Sequence, residues 1–513
     1  MLEPDDGIPD DRCGFVLQPE HVEEDPDSFP YPLVIDVEDW VETVSLTTCI
    51  RETWSDGRCI WHADEADKPI GELLAARSDD PETLDGAVLE DIVWPDSASF
   101  DGCSLIGSRW STARAYGATF EAADLRGADL QGAELVDAKF PHADLTAAEF
   151  DGADLKYAEL PDVIALEAEF TDAELWRAEF PEADCHRADF SGADLGQTTF
   201  HDADMTSAEF VGAELRRAEI RESRLPSSKF YAACLVEATI AESNLQNANL
   251  ARSELADARL PTSDLRGALL QRAHLRDAVL DETDLRQANL YGAELYQTVL
   301  VDVRIDDETN FGDRTPYRTP RFNTRIELGD EVATNPLRAA AWVNRRLEPL
   351  YEDNAMVEAA SHYHIQKEEA ERDLAHERAF DGYSVTSWEN AGRWGVTTAM
   401  KYLTKHGESV KHVLGWWVIV IGVSALLFPW IGGIKDDSDE VYALTSLSEL
   451  TSFAGWNEWG LNLYFSTITF STIGYGDLSP ASPLARLLVS IESIAGALLL
   501  ALLVFVLGRR VAR

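Results

Sequence analysis

The chain has 513 residues, 92 of them acidic against 43 basic, for a formal net charge of −49. That length predicts three or four domains, and the charge balance excludes a nucleic-acid partner, because phosphates are bound by Lys and Arg. An acidic surface with only nine lysines suggests a salt-loving organism, where salt screens charge repulsion within a few ångströms; a specific acidic binding surface is the alternative. Six cysteines are too few for a disulfide framework, and the start Met1-Leu2-Glu3-Pro4-Asp5-Asp6 lacks the basic and apolar regions of a signal peptide.

Residues 1–97 read as an irregular acidic entry segment, its first thirty residues in part disordered. Cys13, Cys49, Cys59 and His62 fall here, the last two at C-x2-H spacing. Three cysteines and a histidine form a tetrahedral structural zinc set, and a small segment with little core can gain stability from a metal. A structural Zn²⁺ is therefore one expectation; ordinary buried thiols beside a surface histidine are the other.

From Phe100 every fifth residue is apolar and usually large, as in Leu125, Leu130, Leu135, Phe140, Leu145 and Phe150, and the series runs to Ile305 without a frame shift. Two positions earlier the residue is small, as in Ala123, Ala128 and Ala133. A period of five is neither 3.6 nor 2, so helix and flat strand both fail. It suits a coil of four short faces with the large and small residues stacked inward. Ala123-Asp124-Leu125-Arg126-Gly127 and Ala128-Asp129-Leu130-Gln131-Gly132 resemble the pentapeptide-repeat family, A-(D/N)-L-x-x. That resemblance implies a right-handed quadrilateral β-helix over residues 98–305. About forty pentads make roughly ten coils and, at the spacing of neighbouring strands, a rod about 50 Å long. Ala115, Ala165 and Cys185 at the large position predict thinner core layers, and Cys103, Cys185 and Cys234 read as packing. Outward residues such as Glu179, Glu182, Asp184 and Asp189 carry the charge. Some members of the family are acidic DNA mimics that bind topoisomerases, so a cytoplasmic protein partner on the rod stands beside the reading of a solvated surface. Nothing in the repeat offers a catalytic set, and the chain does not read as an enzyme.

A linker follows over residues 306–334, with Pro316 and Pro320. Asn335 then reads as an N-cap with Pro336 in the first turn. One helix is expected to about Tyr351 and a second from about Ala355 to Phe380, together a weak resemblance to tetratricopeptide hairpins, with His362 and His364 at surface or packing positions. Residues 385–408 look amphipathic, with Trp388 and Trp394 as interface anchors. The cytoplasmic and interfacial helices thus occupy residues 335–410.

Residues 411–513 read as a membrane domain. Spans are expected over 413–434 and 484–508, each about twenty residues and enough to cross a core roughly 30 Å thick. Between them residues 460–471 are too short to cross but suit a re-entrant pore helix. Next come Thr472-Ile473-Gly474-Tyr475-Gly476-Asp477. Carbonyls that face one axis in succession need a backbone of alternating φ, which glycine allows without steric penalty. Gly474 and Gly476 have that spacing. The stretch resembles the selectivity filter of potassium channels, where rings of backbone carbonyls replace the hydration shell of K⁺.

The resemblance implies a two-span, all-α pore domain, a homotetramer with one quarter of the pore per chain, K⁺ as permeant ion, and Tyr475 braced by aromatic residues such as Trp456 and Trp459. Where some relatives carry a carboxylate four residues before the filter threonine, this chain has Ile468, which leaves the partner of Asp477 open. A non-selective cation channel and a membrane-anchored acidic binding protein are the alternatives. Glu492 is ionisable within a span and therefore has a reason to be there: a hydrogen bond to the pore helix or the back of the filter, or a place on the cavity where it draws cations. Gly496 is a pore-hinge candidate or a close-packing position. Arg393, Lys401, Lys405 and Lys411 precede the first span, and Arg509, Arg510 and Arg513 follow the second. Positive residues stay inside, so both termini are expected in the cytoplasm of a multi-pass plasma-membrane protein, in contact with lipid.

Overall fold

The computed structural model describes residues 51–512 except 53, 56–57, 66–67, 79–80, 313–314, 319–334, 382–383, 437 and 444–452. It divides into two compact units, Met1–Thr319 and Pro320–Arg513.

The first unit is a β-solenoid of pentapeptide repeats. Parallel pairing links each residue to the one twenty further on, as in Thr119 to Lys139 to Glu159. Five residues per face and twenty per coil make four faces. Where pairing is most regular it forms short strands: β1 (Glu179–Pro181), β2 (Thr199–His201), β3 (Glu219–Arg221) and β4 (Thr239–Ala241) side by side, then β5 (Val279–Asp281) beside β6 (Val299–Val301).

The A-(D/N)-L-x-x pattern has a backbone cause at each corner. The N–H of Ala123 donates to the Phe120 carbonyl at 3.1 Å, and Ala122 between them has φ 53°. That is a turn with its third residue in the left-handed region, the type II pattern. The residue before the left-handed one has an N–H that needs an acceptor. The Asp two positions earlier supplies it: Gln131 N donates to Asp129 Oδ1 at 3.0 Å, and Thr146 N to Asp144 Oδ1 at 3.0 Å. An Asp or Asn reaches its own backbone two residues on, whereas a longer Glu does not favour that ring.

Inside, the large residues stack in register. Phe150, Phe170 and Phe190 have ring centroids 4.9 Å apart at each step, and Phe210 lies 4.6 Å from Phe230. These rings are fully buried, so each step combines hydrophobic burial with stacking worth about 0.5–1.5 kcal/mol beyond area. Ala115, Ala165 and Cys185 are fully buried at their large positions and Cys103 is buried at a small one; Cys234 sits instead on an outward ladder between Glu214 and Glu254 and is 6% exposed. Outside, cross-coil pairs such as Arg114–Glu134 and Arg217–Glu237 break up the charge. One ladder, Asp129, Glu149, Glu169, Asp189 and Glu209, is acidic throughout that run. There partial burial, then the neighbouring Asp151, Glu149 and Asp189, push the Glu169 carboxyl up.

The solenoid extends beyond the expected 98–305 at both ends. Thr83 pairs with Ser104, Val88 with Arg109 and Val93 with Arg114, offsets of twenty-one; Asn289 pairs with Asn310, again twenty-one. One extra residue between Trp94 and Phe100 moves the inward positions to Leu84, Leu89 and Trp94, all buried. A fixed five-residue frame misses them, and residues 83–97 are coil rather than irregular entry segment. At the far end the same slip brings Phe311 inward, so the linker starts later than 306. A short helix, α1 (Ile70–Ala76), buries Leu73. Trp61 is fully buried beside it in sequence, and its carbonyl accepts from Val88 N at 2.7 Å and from Lys68 Nζ at 3.2 Å. Burial brings the Lys68 ammonium down to about 8. Solenoid ends need such covers, because the last coil otherwise leaves its core open to water.

The second unit is helical. α2 (Pro336–Asp353) starts at Asn335, whose side chain accepts from Leu337 N and Arg338 N. α3 (Val357–Ala379) returns against α2, with Tyr351 stacked on Tyr363 at 4.9 Å. A two-residue hairpin, β7 (Phe380–Asp381) with β8 (Ser384–Val385), leads to α4 (Trp388–Thr404), capped by Ser387. α4 leaves Trp388, Val396 and Tyr402 exposed. Lys405, His406 and Gly407 are all left-handed, with φ 52°, 59° and 87°, and turn the chain into α5 (Val410–Leu427). α6 (Phe453–Phe470) and α7 (Pro483–Ala512) follow. The stretches Val410–Ile431 and Pro483–Arg509 are long and apolar enough to cross a membrane.

Candidate functional site

The candidate site is the segment between α6 and α7. α6 spans Phe453–Phe470 rather than 460–471. It is held between the two long apolar helices. Phe465 and Ile468 of α6 pack with Phe428, Ile434 and Ala485, and Phe470 packs with Val413, Leu499 and Val506. The first apolar helix ends sooner than 434: Pro429 sits in a 3-10 turn (Phe428–Ile431), and Gly432 and Gly433 follow at φ 109° and 71°. A side chain at Gly433 would stand 2.4 Å from the Tyr442 carbonyl, so the turn closes only with glycine.

That turn opens a small antiparallel sheet with no counterpart among the expected elements. β9 (Ile434–Asp436) lies between β10 (Val441–Tyr442) and β11 (Leu478–Pro480). Leu478 pairs with Asp436 and Pro480 with Ile434. Ser482 Oγ donates to the Ile431 carbonyl at 2.5 Å. The chain leaving the 472–477 segment is thus fastened to the end of the first apolar helix. Asp436 accepts from Ser438 N, Glu440 N and the Tyr442 hydroxyl. The hydrogen bond from the Ser438 hydroxyl, with these others, holds the Asp436 carboxyl below its usual range.

The segment itself folds back on the C-terminus of α6. Thr472 N donates to Thr469 O and Ile473 N to Ile468 O, each at 3.1 Å. Thr472, Gly474 and Gly476 have φ 56°, 49° and 83°, while Ile473 and Tyr475 between them stay at negative φ. The backbone therefore alternates over five residues. Thr472 is β-branched, and a left-handed β-branched residue costs about 1–3 kcal/mol, a cost that recurs at functional sites. The negative end of the α6 dipole points at this segment. Residues Ser471 to Asp477 are all exposed in the single chain, Tyr475 at 70%. The side chain of Trp456 lies outside the described ones.

Two polar contacts hold the segment in place; Asp477 and Glu492 were candidates in the sequence, but their partners Tyr464 and Ser466 were not. The Tyr464 hydroxyl of α6 donates to Asp477 Oδ2 at 2.9 Å, one residue pair that spans the filter-like stretch. Ser466 Oγ donates to the Ile421 carbonyl of α5 at 2.9 Å and also contacts the carboxyl of Glu492 on α7. Glu492 is 1% exposed and turned into the packing of α5, α6 and α7. A Cβ on Gly496 would meet the Phe470 carbonyl oxygen at 2.1 Å, so the absent side chain lets α7 touch the last residue of α6.

A second cluster sits where α7 ends. Arg509 Nη1 donates to His364 Nε2 of α3 at 2.9 Å and lies 3.4 Å from the His406 carbonyl. His364 Nδ1 is 2.8 Å from Glu348 Oε1 of α2, and Lys367 Nζ is 2.7 Å from Glu348 Oε2. Arg509 also faces Glu408 at 3.3 Å. Burial would raise the Glu348 carboxyl, but the His364 and Lys367 hydrogen bonds outweigh it and bring it to about 2. Burial lowers the His406 imidazole to about 4. His364 is 5% exposed, so it is a member of a polar network rather than a surface residue. A packing position was one of the two expected of it; its partners Glu348 and Arg509 come from other elements, so spacing in α3 could not name them.

Of the candidate zinc residues, Cys13 and Cys49 lie outside the described residues. Cys59 Sγ is 3.2 Å from His62 Nδ1, and His62 Nε2 is 2.9 Å from the Asp85 carbonyl. Among the described residues no three His, Cys, Asp or Glu side chains gather as a metal set.

Comparison with known proteins agrees with this division. Residues 438–513 match a family model described as ion channel. Pentapeptide-repeat models match in eight copies between residues 96 and 302. No curated protein matches the chain. Among solved structures, HetL, a pentapeptide repeat protein involved in heterocyst differentiation regulation from the cyanobacterium Nostoc, is 26% identical over 46% of this chain and 94% of its own, with a TM-score of 0.31. Rfr23, a pentapeptide repeat protein from the cyanobacterium Cyanothece, is 31% identical over 19% of this chain and 63% of its own, with a TM-score of 0.16. QnrB1, a plasmid-mediated fluoroquinolone resistance protein, is 18% identical over 41% of this chain and 91% of its own, with a TM-score of 0.20. The chain joins an ion channel domain to a domain of pentapeptide repeats.

Proposed function

We propose that this chain is one subunit of a potassium-selective channel. It conducts K⁺ passively across the plasma membrane through a pore built by four copies. Both termini are cytoplasmic, and the solenoid serves assembly or regulation. The observation that carries the reading is the alternation of φ from Thr472 to Gly476, set at the C-terminus of a helix packed between two apolar helices. Such a backbone lets successive carbonyls turn to one axis, and four such rings replace a hydration shell. The basic residues on the inner side of both apolar helices support the orientation, and the acidic, lysine-poor surface supports a halophilic archaeal source.

Reconstitution into liposomes tests the reading. With K⁺ on one side and Na⁺ on the other, the reversal potential should approach the K⁺ equilibrium value. Gly476→Ala, which places a side chain at φ 83°, should abolish that selectivity. A reversal potential near zero in the wild-type chain overturns K⁺ selectivity, and strictly monomeric protein without flux overturns the channel itself. A structural Zn²⁺ on Cys13, Cys49, Cys59 and His62 belongs to the same proposal. Elemental analysis should find one zinc per chain, and a metal-free native protein would exclude it.

A further inference from the structure

α2, α3 and α4 enclose a groove of about 420 Å³. Arg338 and Arg345 of α2, Arg378 of α3 and Arg393 of α4 line it, with Trp342 in one wall. Glu371, also in the wall, pairs with Arg345 at 2.5 Å. Among the described residues, the guanidinium groups of Arg338, Arg378 and Arg393 have no carboxylate within ion-pair distance. This is a chain with more than twice as many acidic as basic residues, and arginines on its solenoid pair readily, as Arg114, Arg217 and Arg266 do.

Cations gathered in a concave space repel one another more than they would on an open surface. That arrangement is favourable when an anion fills it. Guanidinium forks match phosphate oxygens bidentately, and arginine keeps its charge at any physiological pH. The volume lies within the range of roughly 300–1,000 Å³ usual for small-ligand sites, and the indole of Trp342 adds an apolar wall. We propose that this groove binds a phosphate-bearing anion, supplied either as the phosphates of a soluble nucleotide or as the headgroup of an anionic lipid. Bound there, the anion ties α4 to the α2–α3 hairpin. α4 runs into α5 through the left-handed turn at Lys405–Gly407, and the hairpin holds Arg509 at the end of α7. The site is therefore linked to both apolar helices, α5 and α7, through the elements next to them, whichever ion the ion channel domain conducts.

The test uses the full chain in nanodiscs of zwitterionic lipid, titrated calorimetrically with tripolyphosphate and with ATP. Saturable binding is expected, weakened about tenfold or more by Arg338→Ala with Arg378→Ala, as loss of charged hydrogen bonds implies. Arg393→Lys, which keeps the charge and loses the fork, should weaken binding less than Arg393→Ala. Arg217→Ala on the solenoid should leave it unchanged. A second arm counts phosphatidylglycerol retained by native mass spectrometry after extraction from mixed nanodiscs. Soluble-anion binding assigns the nucleotide source. Retained lipid that falls in the groove variants, without soluble binding, assigns the headgroup. Neither signal in the wild-type chain overturns the proposal, as does equal weakening by Arg217→Ala, which marks diffuse charge. Capture of an acidic peptide in place of both phosphate probes overturns it too. The arginines are exposed, so melting curves should show the variants folded; the wild-type titrations decide the outcome if one is not.

Discussion

Gly496→Ala isolates the contact that joins α7 to the base of the filter-like segment. The added Cβ would stand 2.1 Å from the Phe470 carbonyl oxygen, 3.0 Å from its carbon and 3.3 Å from its Cα, whereas ordinary contact begins at 3.4 Å. Relief requires about 1.3 Å of separation along the contact, and the obstacle is backbone rather than the end of a flexible side chain. Phe470 cannot swing aside, because it is 5% exposed and its ring lies 5.5 Å from that of Trp417. Overpacking of this kind costs about 1–3 kcal/mol. Replacing a helical glycine by alanine returns up to about 1 kcal/mol of propensity. Steric cost therefore wins, and the displacement falls two residues before Thr472. The variant should melt a few degrees lower and lose, in the liposome assay, the potassium selectivity proposed above. Gly415→Ala in α5, where nothing lies within 4 Å, should melt at or above the wild-type temperature with unchanged selectivity. A Gly496→Ala protein that melts like Gly415→Ala and keeps its selectivity would refute the close contact. If only the open probability changes, 496 is a hinge rather than a packing position.

Tyr464→Phe removes the 2.9 Å hydrogen bond to Asp477 and should loosen the 472–477 segment, since that bond ties its last residue back to α6. Currents in patched liposomes should then decay faster, and an unchanged time course counts against the bond. For pH, His406 sits near 4 in the folded chain against an ordinary 6.5, so the unfolded state binds the extra proton first. Stability of the α2–α3–α7 junction should fall as pH drops from about 6.5 towards 4. Glu348, near 2 against 4.5, adds a second loss from about 4.5 downwards. Hydrogen exchange across α2 and α3 reads both, and His406→Phe should flatten the upper window; protection that rises on acidification contradicts the assignment. In the solenoid, Phe170→Ala empties a fully buried ring position stacked 4.9 Å from Phe150 and Phe190. A loss of about 3–5 kcal/mol is expected in denaturant unfolding, and a loss under 1 kcal/mol would mean the coils collapse around the gap.

Periodicity and backbone chemistry are local properties, and they were legible in the residues. The five-residue frame from Phe100 to Ile305 names the inward ladder, because each residue pairs only with its equivalent one coil away. Gly474 and Gly476 mark the alternating backbone, because the demand for positive φ falls on single residues. Thr472 at φ 56° adds a left-handed position that residue type would not propose. The frame failed at its ends, where one inserted residue near Pro95 and another before Phe311 shift every inward position by one. The helix bounds drifted for a similar reason: apolar composition alone does not say where Gly432 and Gly433 stop a span.

What needed tertiary structure are the pairings between residues far apart in the chain. Tyr464 with Asp477, Ser466 with Glu492, and Arg509 with His364 and Glu348 are examples: Asp477 and Glu492 stood out in the sequence, but Tyr464, Ser466 and Glu348 are ordinary polar side chains with no period or motif. Their chemistry is specified by which helices meet, and so is the gathering of four arginines from three helices into one groove. The amino-acid order by itself determined the coil, the two apolar helices and the glycine-spaced segment, since each is set by neighbours a few residues or one repeat away. Only the packing decided which side chains brace that segment and hold the end of α7, because those distances arise when separate elements share one core.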